Sequence, residues 1–113
     1  MERVEVKRGD VVLIVSPGDL GRPRPGIVVQ ADEFKDLTTI FICPISSDVQ
    51  ANLPLRPTIE AGPSNGLRLR SQIMTDKMVA LRRDRVRSVI GHLDSETTQE
   101  LDRALLVVLG LAR

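Results

Sequence analysis

Apolar residues come in short blocks from residue 9 to 93, broken by Gly, Pro and polar clusters; beyond residue 95 they recur every three or four positions. "GDVVLIVSP" (9–17) is continuously apolar and ends at Pro17, and "PGIVVQ" (25–30) is β-branched, so both read as buried strands. Between them "GDLGRPR" (18–24) has two glycines and no period, which predicts a loop. "TTIFICPIS" (38–46) predicts a third, central strand, with Pro44 near its end where a missing N–H is tolerable. "LPLRPTIE" (53–60) alternates weakly, and its prolines mark an edge strand. "NGLRLRSQIMTD" (65–76) has a period of two, which predicts a strand with Leu67, Leu69 and Ser71 facing one way and Arg68, Arg70 and Gln72 side by side on the other face. "VRSVIGHL" (86–93) predicts a last short strand.

After residue 93 the period changes. Asp94 or Ser95 is a natural N-cap, Glu96 suits the positive end of the helix dipole, and Leu101, Ala104, Leu105, Val108 and Leu109 form one stripe. The expectation is an amphipathic helix of about four turns. Five or six short strands and one closing helix predict a mainly β fold, a small and strongly bent antiparallel barrel with the helix packed on it. No repeat or low-complexity segment interrupts it, so residues 1–113 are expected to form a single domain.

Composition narrows the function classes. Hydrophobic content of 42% and charged content of 27% are those of a globular chain. There are two Phe and no Tyr or Trp, so base stacking on aromatic platforms is nearly closed to it. The single cysteine, Cys43, excludes an internal disulfide and fits a reducing cytosol. No apolar run reaches the length of a membrane span, and the charged N-terminus does not read as a signal peptide; a cytoplasmic protein is expected. The net charge of +1 hides an asymmetry: residues 66–91 hold seven basic side chains against two acidic, whereas residues 31–65 hold two against five. A local basic strip on a near-neutral protein points to a polyanionic partner.

The chain has no Cys/His cluster at metal spacing and no glycine-rich phosphate loop, so neither a metal nor a cofactor is expected. The lone His92, at a strand–helix junction, cannot supply an acid and a base together. What remains are arginines, hydroxyls and amides: Arg24, Ser46, Ser47, Arg70 and Gln72. Arg24 stands between Pro23 and Pro25, extended and stiff at a strand mouth. A guanidinium pairs two phosphate oxygens at once, and RNA brings its own nucleophile, the 2′-hydroxyl, so such a set suits metal-free work on a phosphodiester. Each residue also has a structural reading: serines at a strand end cap turns, and Arg24 can be fixed by an ion pair to Asp10 or Asp19.

In order, "KRGDVVLI", "RPGIVVQ", "ICPISSDV", "SQIMTDK" and "SVIGHLDSE" before an amphipathic helix resemble the MazF/PemK family of toxin endoribonucleases, from about Lys7 to Leu111. The resemblance implies an SH3-like barrel of the CcdB/PemK type. It also implies a homodimer, an antitoxin partner, and metal-independent, sequence-specific cleavage of single-stranded RNA. It places the catalytic arginine on Arg24 and the catalytic hydroxyl on Ser46, and matches Arg70 and Gln72 to further family residues. Arg22, Ser47 and Arg68, read from charge and hydroxyl chemistry, complete the expected substrate-binding set with them. Three departures stand out: Ser71 where the pattern has Asp, Met74 where it has Arg, and a first loop, 18–23, about three residues short. The CcdB toxins, which poison gyrase, resemble the same fold, but their action depends on a tryptophan near the C-terminus, and this chain ends "LGLAR" with no Trp. A member that binds RNA or antitoxin without cutting is the remaining alternative.

Overall fold

The computed structural model describes residues 3–18 and 20–112. Seven strands and one helix follow in chain order: β1 (Asp10–Ile14), β2 (Arg24–Val28), β3 (Thr39–Ser46), β4 (Thr58–Ile59), β5 (Ser71–Ile73), β6 (Val79–Arg82), β7 (Val86–His92) and α1 (Ser95–Val108). All pairings are antiparallel, in the order β4-β5-β3-β2-β1-β7, with β6 pairing the first half of β3. β3 is the organising strand: Thr39–Ile42 pair β6, while Ile45 and Ser46 pair β5. Register shifts in the β1–β7 ladder bend the sheet into a half-barrel.

The continuous apolar runs have a simple cause: both sheet faces are covered. Val11, Ile27, Cys43 and Ile45 point one way and pack with Ile73, Leu101 and Leu105 under α1. Val12, Ile14, Val28, Ile40 and Ile42 point the other way and pack with Leu81 of β6 and Val86 of β7. The core holds no aromatic side chain, and Phe34 and Phe41 are both exposed. Gly26 is required at the β2–β3 contact, where a Cβ would meet Ile42 Cγ2 at 2.5 Å. α1 begins as expected, with the Asp94 carboxylate accepting the Thr97 N–H at 2.7 Å. Arg8 ties the helix to the sheet: Nε donates to the Val29 carbonyl at 3.0 Å and Nη1 lies 2.8 Å from the Asp102 carboxylate.

Four expectations need correction. The strand foreseen over 65–76 is only β5, residues 71–73; residues 65–70 are a loop, so Arg68, Arg70 and Gln72 do not share a sheet face. Asn65 makes that loop: its Oδ1 accepts the N–H groups of Gly62 and Leu67, and its Nδ2 donates to the Glu60 carbonyl. Gly66, at φ +72°, then lays the turn against the Ile90 carbonyl. The edge strand over 53–60 shrinks to Thr58–Ile59, because Pro54 and Pro57 cannot extend a ladder. β6 was not foreseen. Leu109 lies past the end of α1 and is 54% exposed, so the buried stripe is Leu101, Ala104 and Leu105, with Val108 half-buried.

Candidate functional site

Arg24 opens β2 opposite Ile14 of β1. On its other side the β2–β3 ladder ends at Gly26 and Pro44. Pro25, on the side of β2 that faces β3, has no N–H to carry it further, so the strands part there, and Pro44 turns its carbonyl to the Met74 N–H of the other neighbour. Continuing the register outward by two residues sets Arg24 opposite Ser46, with both side chains on one face. The opening between the strands is a groove of about 850 Å³, lined by Arg24, Ser46, Ser47 and Arg68 at polar positions and by Leu13, Pro25, Ile45, Leu67, Leu69 and Ile90 at apolar ones. Two guanidiniums and two hydroxyls among apolar side chains suit contacts to an anionic backbone.

Four of the sequence-derived site residues, Arg24, Ser46, Ser47 and Arg68, therefore meet in one groove. Arg24 is exposed, and among the described residues no carboxylate pairs with it. The Asp10 carboxylate instead accepts the Lys7 N–H at 2.8 Å, and Asp19, the other proposed partner, lies outside the described residues. Ser46 is half-buried, and its Oγ accepts the Asp48 N–H at 3.1 Å. Ser71 and Met74, two of the departures noted above, also line the groove. The Ser71 hydroxyl donates to the Leu69 carbonyl at 2.8 Å.

Arg70 and Gln72 lie in the adjoining depression of about 880 Å³, walled by the loop after β3. Arg70 Nε reaches Glu60 at 2.9 Å, an exposed pair that solvent and salt weaken readily. Gln72 is only 4% exposed, and its amide grips the backbone of Gln50. Both ends of its amide are thus engaged by the loop. Arg22 is exposed but lines neither cavity. His92, at the end of β7, is outside both as well.

The basic strip over 66–91 is not one surface. Arg82 pairs with Thr39 at one end of β3 while Gln72 pairs with Ser46 at the other, about 23 Å apart at strand rise. Arg82 is held by Asp84 at 2.9 Å, and the Arg83 guanidinium donates to the carbonyls of Leu37 and Phe34. Only Arg68 of that strip lines the groove. Burial pushes the Cys43 thiol up to about 12, so it stays protonated and is no nucleophile. Among the described residues no group of three or more His, Cys, Asp or Glu is gathered as a metal-ligand set.

Sequence reasoning missed the supports of the site. Asp48 and Gln50 organise the turn after Ser46, for which "SSDVQ" offers only a Ser-x-Asp turn signal. Arg56 and Asp76 form a bidentate pair, at 2.8 and 2.9 Å, that pins the far end of the same loop to the segment after β5. It lowers the Asp76 pKa, chiefly through the hydrogen bond from Arg56.

A half-barrel with a C-terminal helix is the fold of several solved toxins. The Mycobacterium tuberculosis toxin MazF-mt6 superposes with a TM-score of 0.80 at 19% identity, covering 92% of this chain and 99% of that one. An endoribonuclease solved in complex with its cognate antitoxin, from a mycobacterial species, gives a TM-score of 0.79 at 19% identity over 96% of this chain and 99% of that one. At such identity these likenesses speak for the fold, which is that of the CcdB/PemK type. The sequence decides the family. Residues 7–109 match the model of the PemK-like, MazF-like toxins of type II toxin–antitoxin systems, and the chain belongs to that family. It is 36% identical over 109 residues to the probable endoribonuclease MazF of Mycolicibacterium smegmatis, spanning 95% of this chain and 99% of the relative.

Proposed function

We propose that this chain is the toxin of a type II toxin–antitoxin system and acts as an endoribonuclease on single-stranded RNA without a metal ion. Family membership and the likeness to the M. smegmatis relative support the enzyme class. The observation that carries the mechanism is that Arg24 and Ser46 line one groove.

The RNA 2′-hydroxyl attacks the adjacent phosphorus in line and gives its proton to water. The O2′–P bond closes a 2′,3′-cyclic phosphate as the P–O5′ bond breaks, and the leaving 5′-oxygen takes a proton from water, so the chemistry is transesterification. Negative charge grows on the non-bridging oxygens as the phosphorus becomes five-coordinate. Arg24, already extended, meets that charge with two parallel N–H donors. Its guanidinium does not readily give up a proton, so its role is charge stabilisation. Ser46 keeps its hydroxyl proton to donate to the phosphate while its oxygen accepts from Asp48. Arg68 and Ser47 hold the flanking backbone. The exposed Arg70–Glu60 pair opens at low cost, freeing Arg70 for a neighbouring phosphate.

The protein works in the cytoplasm as a homodimer and is restrained by a cognate antitoxin that competes for the groove. No described helix is long and apolar enough to cross a membrane. Purified protein incubated with a long RNA in EDTA should cut it at a short recurring sequence, read by mapping the new ends. Intact RNA under those conditions, with restored cutting on adding a divalent metal, would overturn the metal-free mechanism.

A further inference from the structure

Ser46 belongs to a closed circuit of hydrogen bonds. Its Oγ accepts the Asp48 N–H at 3.1 Å, and the Asp48 carboxylate accepts Gln50 Nε2 at 2.9 Å. The main chain of Gln50 is gripped on both sides by one side chain: its N–H donates to Gln72 Oε1, and its carbonyl accepts from Gln72 Nε2, each at 2.9 Å. Gln72 is the β5 residue paired directly with Ser46, which closes the ring.

The members of this ring are unequal. Asp48 and Gln50 are exposed, so water can replace their bonds, whereas Gln72 is 4% exposed and holds the loop from beneath. Only a primary amide offers one donor and one acceptor in a plane at the spacing of a peptide group. A carboxylate supplies two acceptors and loses one bond; methionine supplies neither.

We infer that Gln72 is a positioning residue for the cleavage reaction: it clamps Gln50, thereby holds the Asp48 N–H in place, and so aims the Ser46 hydroxyl into the groove. The inference rests on the reading of Ser46 as a group that touches the scissile phosphate. A hydroxyl oxygen committed to Asp48 has a restricted O–H direction, and a misdirected donor weakens the transition state more than the ground state. Gln72 thus affects turnover while remaining out of reach of RNA.

The test is a double-mutant comparison of Gln72→Met, with and without Ser46→Ala, by cleavage kinetics over a range of RNA concentrations alongside thermal melts. In the wild-type background kcat should fall by about ten- to a hundredfold with KM nearly constant, as expected for a displaced reacting group. In the Ser46→Ala background the same change should alter kcat by less than about twofold, because the group it positions is gone. Equal losses in both backgrounds would make Gln72 merely structural, and a raised KM in both would make it a substrate contact; either overturns the inference. Wild-type turnover by Ser46→Ala alone would instead overturn the reading of Ser46. Should Gln72→Met fail to fold, hydrogen exchange on the wild-type protein decides. The Gln50 amide should exchange far more slowly than those of Ala51 and Asn52, and equal rates would mean that the clamp does not hold the loop.

Discussion

At Arg24 the two flanking prolines do different things. Pro23 stiffens the approach, and Pro25 both holds Arg24 extended and denies the ladder an N–H, so the strand that presents the guanidinium also opens the groove it faces. This much was legible from Pro-Arg-Pro-Gly because proline acts on its immediate neighbours. Gln72 was not legible, since a buried amide that serves a loop 22 residues away looks, in sequence, like any polar residue near arginines. Arg70 lies between these cases: its site is set by a loop that sequence misread, yet its pair with Glu60 leaves it available. Replacing Arg70 with Ala should weaken binding to a non-cleavable RNA at all sequences and reduce the salt slope by about one. The melting point should hardly move, since an exposed pair is worth at most about 1 kcal/mol. An unchanged slope, measured by titration over sodium chloride, would mean that Arg70 touches no phosphate.

Elements were legible where the period came from burial on a regular backbone. β1, β2, β3 and α1 fit that description, and each appears close to its expected bounds. The alternation over 65–70 arose from a loop instead: Leu69 is 63% exposed, and Asn65 with Gly66 sets the chain direction. β6 escaped because Val79–Arg82 is short and takes its order from pairing with β3, a long-range contact with no local signature. The 47–57 loop owes its shape to tertiary anchors, of which Arg56–Asp76 is the strongest by geometry. Because the Asp76 carboxyl titrates below its ordinary value, its contribution to stability is complete above the unfolded value of about 3.9 and is lost as pH falls through the folded one. Asp76→Asn should therefore melt earlier than wild type at neutral pH and converge with it in acid. A constant gap between the two melting curves from neutral pH to about pH 3 would contradict this linkage.

At the scale of the molecule, the chain leaves apolar surface that its own core does not use. Leu106, Val107, Leu109 and Leu111 are exposed along and beyond the end of α1, and Phe41 is exposed on β3. A second copy is the expected cover, with β3 and α1 at the interface. Light scattering at micromolar concentration should give about twice the 12.5 kDa chain mass, and a clean monomer would contradict the homodimer. The arginines divide likewise, one set at the groove and another at the far end of β3, so charge counted along the sequence overstated what any single RNA segment meets. The proposed mechanism routes RNA cleavage through the groove that Arg24 and Ser46 line. Its most direct test is Arg24→Lys, which keeps the charge but loses the planar fork. Single-turnover cleavage should fall by about two to three orders of magnitude while RNA binding weakens only modestly and the melting temperature stays near wild type. Cleavage at the wild-type rate, or a loss that merely tracks unfolding, would show that the two prolines hold a structural arginine and that the chemistry lies elsewhere.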